Sequence, residues 1–525
     1  MSGSSDATRV AVVGGGHNGL VAAVLLARAG CEVTVLEQAA EVGGCLWTQR
    51  TPSGVVIERG AIDHGGMRAI AGELGLERFG LTWRERELLS AFRVDGEDRL
   101  FTADAAQTAD GLGADRDRYL ALVSRARMLF DAVDMFAQPP TPTSLAAMLS
   151  SLRGGDDLFR TVLMSAERVI ADGLDDPRTR AALGLYAAHS QLPPWAPGSG
   201  AMGLLLPAGH GEPGVRPVGG SRALADALRA ALEAAGGHVR VEASVTAMTQ
   251  TRDGVRVDTS DGEGVVVDRV VSSLDLGRTT ALLDRVPDAT AASARTLVSG
   301  SFNVAEMTLS IARPGAGPRL PGGDEAITFV QAGLDDLRRG FGDIVAGRAP
   351  RRPWAMVTGV DQDGGPGSAT WISTVVPLRR ASGAWTERAE ERAAQSVIET
   401  VSSQLDVDLA GEGAEVTVTG PRTWMQRIGG TGNPNHIDLT LDQMFGWRPP
   451  GAAGHRTEVP WLYLTGAGTP PGGGLSGVSG RAAATALLHD LDARPSAGAR
   501  LRSVAGEVGG LWSAMKTYLQ MRRGA

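Results

Sequence analysis

The sequence predicts an α/β protein in which a Rossmann-type nucleotide-binding domain carries an inserted α+β domain of antiparallel sheet and helices. A unit of strand, glycine-rich loop and helix lies near the start of the chain. A second such unit lies about 450 residues later, and long segments of different character separate the two. Because a glycine-rich turn between strand and helix typically binds a dinucleotide, we expect both ends of the chain to contact one cofactor.

The first unit spans residues 10–29 and contains a short apolar strand, a glycine loop and an apolar helix. Three glycines of the loop match the pattern G-x-G-x-x-G: Gly14, Gly16 and Gly19. The first makes a tight turn, the second admits a pyrophosphate and the third lets the helix pack on the strand. Free N–H groups at the start of the helix then bind the phosphates, with His17 and Asn18 as neighbouring contacts.

The residues after this helix extend the nucleotide site. A second strand, 32–36, ends in Glu37, whose carboxylate can accept hydrogen bonds from a ribose and disfavours a 2′-phosphate by its charge. Gly43, Gly44 and Cys45 follow and are expected to form a loop that closes over the cofactor. Strand, glycine loop, helix, second strand and acid in this order indicate a dinucleotide site rather than an ordinary turn.

The second unit repeats this arrangement near the end of the chain. The strand 461–464 leads into a glycine-rich turn, and the helix 480–488 follows. A helix that begins after such a turn again presents free N–H groups and the positive end of its dipole. Five residues of the turn and the start of the helix are predicted to contact the cofactor: Gly466, Ala467, Gly468, Gly477 and Val478.

These motifs resemble a known family. The segments VAVVGGGHNGLVAAVLLARAGCEVTVLEQAAEVGG and LYLTGAGTPPGGGLSGVSGRAAA resemble the phytoene desaturase-related flavoproteins of the amine oxidase-like FAD superfamily. Residues 217–273 and 433–444 resemble the same family, whereas 75–215 and 296–420 do so only weakly. The resemblance implies FAD as the cofactor, bound non-covalently, and it implies that the backbone of Val245 faces the adenine.

At 525 residues the chain is long enough for two domains, which we expect to alternate along it. Three segments are assigned to the FAD-binding domain: 1–74, 216–295 and 426–490. Two are assigned to the substrate domain: 75–215, mainly helical, and 296–425, a sheet with a flanking helix. Residues 491–525 form an amphipathic C-terminal tail, for which docking on the protein itself or on a second subunit is favoured over a peripheral membrane contact.

Hydrophobic periodicity predicts the elements of the substrate domain. Its helices are expected at 119–136, 145–152, 158–171 and 387–404. Its strands are expected at 304–311, 326–331, 354–360, 370–376 and 415–419. A sheet covered by helices and inserted into a nucleotide domain would form a pocket in front of the flavin ring, as the resemblance implies.

Composition excludes several classes of protein. A net charge of −8 gives no support for nucleic-acid binding. Two cysteines give neither a disulfide framework nor a metal-ligand spacing, so no metal is expected. The polar residues 1–8 lead directly into the first strand, and no apolar run approaches the ~18–20 residues of a membrane span. A cytoplasmic location is therefore expected.

The sequence offers fewer candidates for proton transfer than for cofactor binding. His436 and Asp438 lie shortly before the C-terminal flavin loop, and His64 follows the first FAD segment, although each could equally have a structural role. Glu306, an acid inside an otherwise apolar strand, is expected to face solvent. Amine oxidases of the superfamily use a lysine beside the flavin, but the single lysine here is Lys516, in the tail. Amine oxidation is therefore not expected.

The resemblance implies an FAD-dependent oxidoreductase that acts on C–C bonds and moves hydride between the flavin and an apolar unsaturated substrate. A polyene, carotenoid-like or polyketide-like molecule fits this description. A flavin-dependent isomerase or a reductive cyclase in natural product biosynthesis is an alternative. A non-catalytic module that escorts lipids or prenylated proteins is an alternative of another class, but the complete set of FAD motifs favours the enzyme.

Overall fold

The computed structural model describes residues 7–492, apart from residues 137–138, 324–325, 332, 361, 363–364, 451 and 453. The predicted tail therefore lies outside the described residues from residue 493 onward. The strands are, in chain order, β1 (Arg9–Val13), β2 (Glu32–Leu36), β3 (Thr48–Arg50), β4 (Val56–Glu58), β5 (Trp83–Arg86), β6 (Leu88–Val94), β7 (Glu97–Thr102), β8 (Gly214–Pro217), β9 (His238–Arg240), β10 (Val245–Thr251), β11 (Gly254–Thr259), β12 (Val265–Val267), β13 (Arg269–Ser272), β14 (Val304–Pro314), β15 (Thr328–Gln331), β16 (Ala355–Val360), β17 (Gly367–Pro377), β18 (Glu415–Thr419) and β19 (Leu462–Leu464).

Sixteen α-helices accompany the strands in the described part of the chain. They are α1 (His17–Arg28), α2 (Arg68–Leu74), α3 (Ala105–Asp110), α4 (Arg116–Asp134), α5 (Pro142–Ser150), α6 (Gly155–Leu163), α7 (Ala166–Gly173), α8 (Pro177–Ala188), α9 (Leu205–Ala208), α10 (Gly220–Ala234), α11 (Leu276–Ala281), α12 (Asp288–Thr296), α13 (Leu334–Val345), α14 (Glu387–Leu405), α15 (Pro421–Ile428) and α16 (Val478–Asp492). None of these helices is both long enough and apolar enough to cross a membrane.

A five-stranded parallel sheet, in the order β19–β13–β1–β2–β9, forms the core of the nucleotide-binding domain. β1 lies at its centre, where Val12 pairs with Val35 of β2 and with Val271 of β13. β19 pairs with β13, which brings the end of the chain to the same sheet as its beginning. All three segments predicted for the FAD-binding domain thus contribute strands to one sheet.

Both faces of this sheet are covered, which explains why residues 10–13 of β1 are all apolar. Alternate residues of a strand point to opposite faces. Val10 and Val12 belong to the core that includes α1, α10 and α16. Ala11 and Val13 belong to a second core, formed with the antiparallel strands β10, β11 and β12.

The inserted domain is built on a seven-stranded sheet in the order β18–β14–β17–β16–β15–β6–β7. One face packs on α14, and the other packs on the helical layer that includes α4 and α8. The α/β fold class with an inserted α+β domain is confirmed. The sheet is nevertheless mixed rather than antiparallel, because β15 and β6 run parallel.

Two details of the helical segment 75–215 differ from the prediction. The segment also supplies β6 and β7, which turn at Asp95–Gly96, where both residues have positive φ; Asp-Gly is a turn signal that the helical pattern obscured. The helix predicted at 158–171 is two helices, α6 and α7. Ser165 separates them because its side chain accepts a hydrogen bond from the N–H of Arg168 and so starts a new helix.

A buried glutamate lies where the two domains meet. The Oε1 atom of Glu58 accepts hydrogen bonds from Ser221 N at 2.8 Å and Thr48 Oγ1 at 2.9 Å. Its backbone oxygen accepts one from Ser310 Oγ, on the inserted sheet, at 2.5 Å. Among the described residues Oε2 has no partner, and burial raises the pKa of Glu58 to about 7. The protonated form of Glu58 therefore stabilises the junction between the two domains.

This raised pKa predicts a pH-dependent stability. An acid whose pKa is higher in the folded state stabilises the fold below its unfolded pKa, and that stability is lost as pH rises through the folded pKa. Glu58 should contribute a negative slope to the pH dependence of stability, a loss of about 3 kcal/mol between about pH 4.5 and pH 8, measured from urea unfolding midpoints as the difference between wild type and Glu58→Gln. Glu58→Gln should remove most of this slope. The control Glu77→Gln, at an exposed position, should retain it; equal slopes in all three proteins would contradict the assignment.

Candidate active site

The N-terminal glycine loop has the geometry of a phosphate-binding turn. Gly14 has a φ of +94°, and a Cβ atom there would lie 2.2 Å from Ser273 Oγ. A Cβ on Gly19 would lie 2.2 Å from the backbone oxygen of Gly14, so α1 packs directly on the turn. Gly14 therefore requires glycine because of its positive φ, and Gly19 requires it because of close packing against the backbone.

Gly16 differs, because it borders open space. It is the N-cap of α1, and within the described chain no side chain caps the first N–H groups of this helix. A Cβ built on Gly16 would meet only Gly44 Cα, at 3.9 Å. Gly43 N donates to Gly15 O at 2.8 Å, which holds the second glycine loop against the first. The uncapped helix start and the adjoining space fit a pyrophosphate.

Glu37 links this loop to the second FAD segment. Its Oε2 atom accepts from Gly15 N at 2.7 Å, and its Oε1 atom accepts from Ala39 N at 2.8 Å. Its backbone oxygen accepts from Ala243 N at 2.9 Å, two residues before Val245 at the start of β10. Carboxylate oxygens can accept more than one hydrogen bond, so the group can also receive a ribose hydroxyl. The contacts of Glu37 and Val245 with the nucleotide stay predictions.

The C-terminal unit joins the same site. The Oδ1 atom of Asn18 accepts a hydrogen bond from Gly480 N at 3.3 Å, and a Cβ on Gly480 would lie 2.2 Å from the backbone oxygen of Asn18. Ser479 Oγ accepts from Gly466 N at 2.9 Å, which ties the glycine turn to the first turn of α16. The predicted contacts Gly466, Ala467, Gly468, Gly477 and Val478 are thus brought to the N-terminal loop.

His436 lies against the C-terminal glycine loop, as its position in the sequence suggested. A Cβ on Gly468 would lie 3.3 Å from His436 Nδ1, an atom that has no partner among the described residues. Burial lowers the pKa of His436 to about 4. The pKa of His17 is also lowered to about 4, first by burial and then by the neighbouring His436. Two uncharged imidazoles therefore lie together at the junction of the two ends.

Asp438 makes structural contacts, and the catalytic role suggested for it stays a prediction. Its two carboxylate oxygens accept hydrogen bonds from Gly300 N and Ser301 N, both at 2.8 Å. This holds the start of the inserted sheet against the segment before the C-terminal loop. The side chain also borders a cavity, with one backbone N–H bound to each carboxylate oxygen.

His64 is also placed away from the expected cavity wall. It is 1% exposed, and its Nε2 atom lies 2.8 Å from Ser221 Oγ, in the junction that contains Glu58. Burial lowers its pKa to about 3. Since it is not among the residues that line either cavity described below, its contacts point to a structural role.

Arg448 holds the C-terminal loop in place, and the sequence offered no signal for it. Its guanidinium is fully buried and donates to Ala467 O at 2.7 and 2.9 Å. It also donates to backbone oxygens of the segment that contains His436: Asn435 at 2.5 Å, Ile437 at 3.1 Å, Asp438 at 3.0 Å and Gln443 at 3.3 Å. This side chain therefore fixes the predicted flavin loop relative to His436.

Cys45 directly follows Gly44 at the close turn of the second glycine loop, a position where a small side chain is expected. Burial raises the pKa of its thiol to about 12, so the thiol is protonated at neutral pH. The charge of Glu306, on the inserted sheet, contributes further to raising the pKa of Cys45. A protonated thiol is a poor nucleophile, which favours non-covalent binding over a covalent flavin bond.

A cavity that is partly open to solvent, with about 360 Å³ of non-atom space, lies between the inserted sheet and the helical layer. Its wall is largely apolar and includes Leu185, Phe329, Trp354, Met356 and Val375. Gln191 also borders a second cavity, of about 240 Å³, which is lined in part by Asn433, Asn435 and Leu439. The two cavities therefore extend from the sheet toward the segment that carries His436.

Glu306 lines the larger cavity, so the expectation that it faces solvent is wrong. Its Oε1 atom accepts a hydrogen bond from Ser373 Oγ, on the paired strand β17, at 2.9 Å. Burial raises its pKa and the Ser373 hydrogen bond lowers it. The strand pattern was misleading because both faces of this sheet are covered, and a polar residue in it does not mark a solvent face.

The site joins FAD-type turns from both ends of the chain to an apolar cavity, as in a two-domain flavoprotein. The model of the family described as flavin containing amine oxidoreductase matches residues 19–488. The chain belongs to this family. FAD is thereby confirmed as the cofactor, and the chain is an FAD-dependent oxidoreductase. The uncapped start of α1 and the space at Gly16 fit this group.

Curated relatives cover nearly the whole chain. Hydroxyneurosporene desaturase of Cereibacter sphaeroides is 27% identical over 528 residues, which is 93% of this chain and 98% of the relative. Pyridine nucleotide-disulfide oxidoreductase domain-containing protein 2 of Rattus norvegicus is 26% identical over 550 residues, which is 91% of this chain and 93% of the relative. The first of these is consistent with the resemblance to carotenoid desaturases.

Solved structures confirm the fold. A double mutant of putrescine oxidase, made in a redesign of its cofactor binding, matches with a TM-score of 0.63 and 16% identity, covering 93% of this chain and 99% of that one. The fatty acid isomerase from P. acnes that produces CLA matches with a TM-score of 0.55 and 15% identity, with the same coverage. At this identity the likeness concerns the fold alone.

The space at Gly16 gives a specific test of FAD binding. Gly16→Val should fold, because a Cβ atom there meets no described atom closer than 3.9 Å, but its side chain should fill the space for the pyrophosphate. We expect loss of nearly all flavin absorbance per protein, with an unchanged far-ultraviolet circular dichroism spectrum. The matched control Gly72→Val, on an exposed position of α2 with nothing within 4 Å, should bind FAD normally. Normal flavin content in Gly16→Val would contradict the assigned phosphate site.

Proposed function

We propose that this oxidoreductase moves hydride between FAD and a C–C bond of an apolar, unsaturated substrate that binds in the larger cavity. The observation that carries the proposal is the wall of that cavity, whose accessible surface is mainly that of aromatic and aliphatic side chains, although polar residues also line it. Such a wall binds a substrate by burial of apolar surface rather than by charge. A polyene, carotenoid-like or polyketide-like molecule meets this requirement.

The position of the cavity supports the same proposal. The carboxyl of Glu306 in its wall influences Cys45 of the predicted flavin loop. The second cavity reaches Asn435, which is adjacent to His436. When bound, FAD supplies a two-electron acceptor or donor, so the protein has to orient the substrate, exclude water and carry at most one proton. The desaturase among the relatives carries out a reaction of this class by its name.

Amine substrates fit the site poorly. Residues 1–515 contain no lysine, so the lysine that amine oxidases place beside the flavin is missing from both domains. Glu37 disfavours the 2′-phosphate of NADPH by its charge, and the second glycine-rich turn joins the same site as the first. We therefore propose that electrons enter or leave through the apolar substrate and an external acceptor. The cytoplasmic location stays a prediction of the sequence.

Anaerobic stopped-flow absorbance of the oxidised FAD-loaded protein tests this proposal. Hydroxyneurosporene or a linear polyenone, supplied in detergent micelles, should bleach the flavin band in a saturable phase. Putrescine, cyclohexylamine and NADPH should each bleach it at least about 100-fold more slowly, because none has the apolar surface that the cavity binds.

The outcomes of this experiment separate the alternatives. Rapid bleaching by either amine or by NADPH alone, or no bleaching by any apolar polyene, would contradict the proposal. A band that bleaches and recovers without oxygen, with a product isomeric to the substrate, would identify the isomerase or cyclase alternative. That result would keep the hydride transfer but make the overall reaction redox-neutral.

A further inference from the structure

We propose that Glu306 is the proton carrier of this site: its carboxyl exchanges a proton with a substrate carbon while hydride moves between the neighbouring carbon and FAD. This inference rests on the proposed function, because it assigns the proton of the same reaction. It replaces Asp438 and His64, whose side chains are engaged in structural contacts.

The geometry places this carboxyl in the cavity wall. Glu306 lies on β14, where it pairs with Val375 of β17, and both residues line the larger cavity. Met307, the next residue along β14, lies in the opposite core, against α14. Because side chains alternate along a strand, the Glu306 side chain points to the cavity face. The only hydrogen bond that the structure records for it comes from Ser373 Oγ.

The apolar cavity wall around Glu306 favours the neutral, protonated form of its carboxyl. Phe329, Trp354 and Met356 form the neighbouring wall, and a carboxylate loses hydration there without a cation to replace it. The influences on the pKa of Glu306 are burial, which raises it, and the Ser373 hydrogen bond, which lowers it. A carboxyl whose pKa is raised in this way holds its proton more firmly than an exposed glutamate and can still exchange it, as a general acid–base catalyst must.

Other ionisable groups also surround the cavity, and position distinguishes Glu306 from them. His189 lies in the same wall, and its lowered pKa favours the neutral imidazole, the form that can accept a proton. Burial raises the pKa of Tyr186, and Asp63 acts on both of these side chains from the side of the FAD domain. The thiol of Cys45 is held protonated. Among these groups, Glu306 combines a carboxyl in the cavity wall with proximity to the predicted flavin loop.

The reaction balances with this assignment. In a desaturation, one C–H bond breaks with transfer of hydride and its two electrons to FAD, which is reduced. The C–H bond on the adjacent carbon breaks with transfer of its proton to the Glu306 carboxylate, and the electron pair left behind forms the C=C bond. Glu306 then releases the proton to solvent, and dioxygen or a quinone reoxidises the flavin later. Saturation of a double bond follows the same steps in reverse.

The first test is infrared spectroscopy of the protein with and without FAD. The difference spectrum of wild type minus Glu306→Gln, at about pH 6, should contain a carboxylic acid C=O band, because this pH lies above the usual pKa of glutamate. The band should disappear as the pH rises and should shift when FAD binds. The control Glu390→Gln removes another buried glutamate, which accepts from Arg422 N on the far side of the sheet. Its difference band should not respond to FAD.

The second test is the rate of flavin bleaching by the polyene substrate. Glu306→Gln should bind FAD as wild type does and should be reduced fully by dithionite, but bleaching by substrate should slow by about 100-fold or more. In wild type the bleaching rate should rise with pH through the pKa of Glu306, because the carboxylate is the form that accepts the proton. Ser373→Ala should move this profile to higher pH, since it removes the hydrogen bond that lowers the pKa.

The outcomes distinguish this inference from the proposed function. If wild type is bleached and Glu306→Gln is bleached equally fast, the proton assignment is overturned and the proposed function stands. If no apolar polyene bleaches wild type, the proposed function fails. The infrared result then still decides whether Glu306 is a titrating acid beside the flavin. Absence of its carboxylic acid band, or a band indifferent to FAD, would overturn the inference by itself.

Discussion

The contact between α1 and α16 is the constraint on which the rest of the site depends. Gly480 approaches Asn18 so closely that no side chain fits between the two helices, and a hydrogen bond links the same two residues. Both helices begin at glycine-rich turns, and their N-termini therefore lie side by side. A nucleotide bound there contacts both ends of a chain whose middle forms the other domain, which couples cofactor binding to the complete fold.

The inserted sheet takes its position from this arrangement. Ser310 and Thr308 of β14 donate to the backbone oxygens of Glu58 and Arg59, which follow the N-terminal nucleotide unit. On the other side of the cavity, Asp438 holds the start of the inserted sheet and Arg448 holds the C-terminal glycine loop. Polar side chains that bond to backbone atoms thus hold the two domains together on both sides of the cavity. The cavity wall does not have to supply these polar contacts, so most of its accessible surface can be apolar.

The sequence was most informative where structure is local. The glycine turns, β1, β2 and the start of α16 were predictable because the steric demands of a phosphate-binding turn act over a few residues. Glu37 followed from its place at the end of β2. The helix break at Ser165 and the hairpin at Asp95–Gly96 carry local signals as well, but the apolar periodicity around them was stronger.

Residues whose role depends on distant neighbours could not be found in this way. Arg448 bonds to carbonyls of a loop and a segment that only the tertiary fold brings together, and no motif surrounds it. Glu306 looked like a solvent-facing residue because alternation along a strand separates two faces without saying what covers them. Asp438 and His64 lie near the flavin loops in sequence, and the sequence did not predict the hydrogen bonds that they make with Ser301 and Ser221 in the fold.

The central claim is that one FAD is held by both ends of the chain, in front of the cavity. Hydrogen–deuterium exchange of the protein with and without FAD measures this most directly. Amides of residues 14–20 and of residues 466–481 should become protected together on FAD binding, while those of α14, on the far side of the inserted sheet, should not change. Protection of the N-terminal turn alone, with unchanged exchange in the C-terminal turn, would contradict the account.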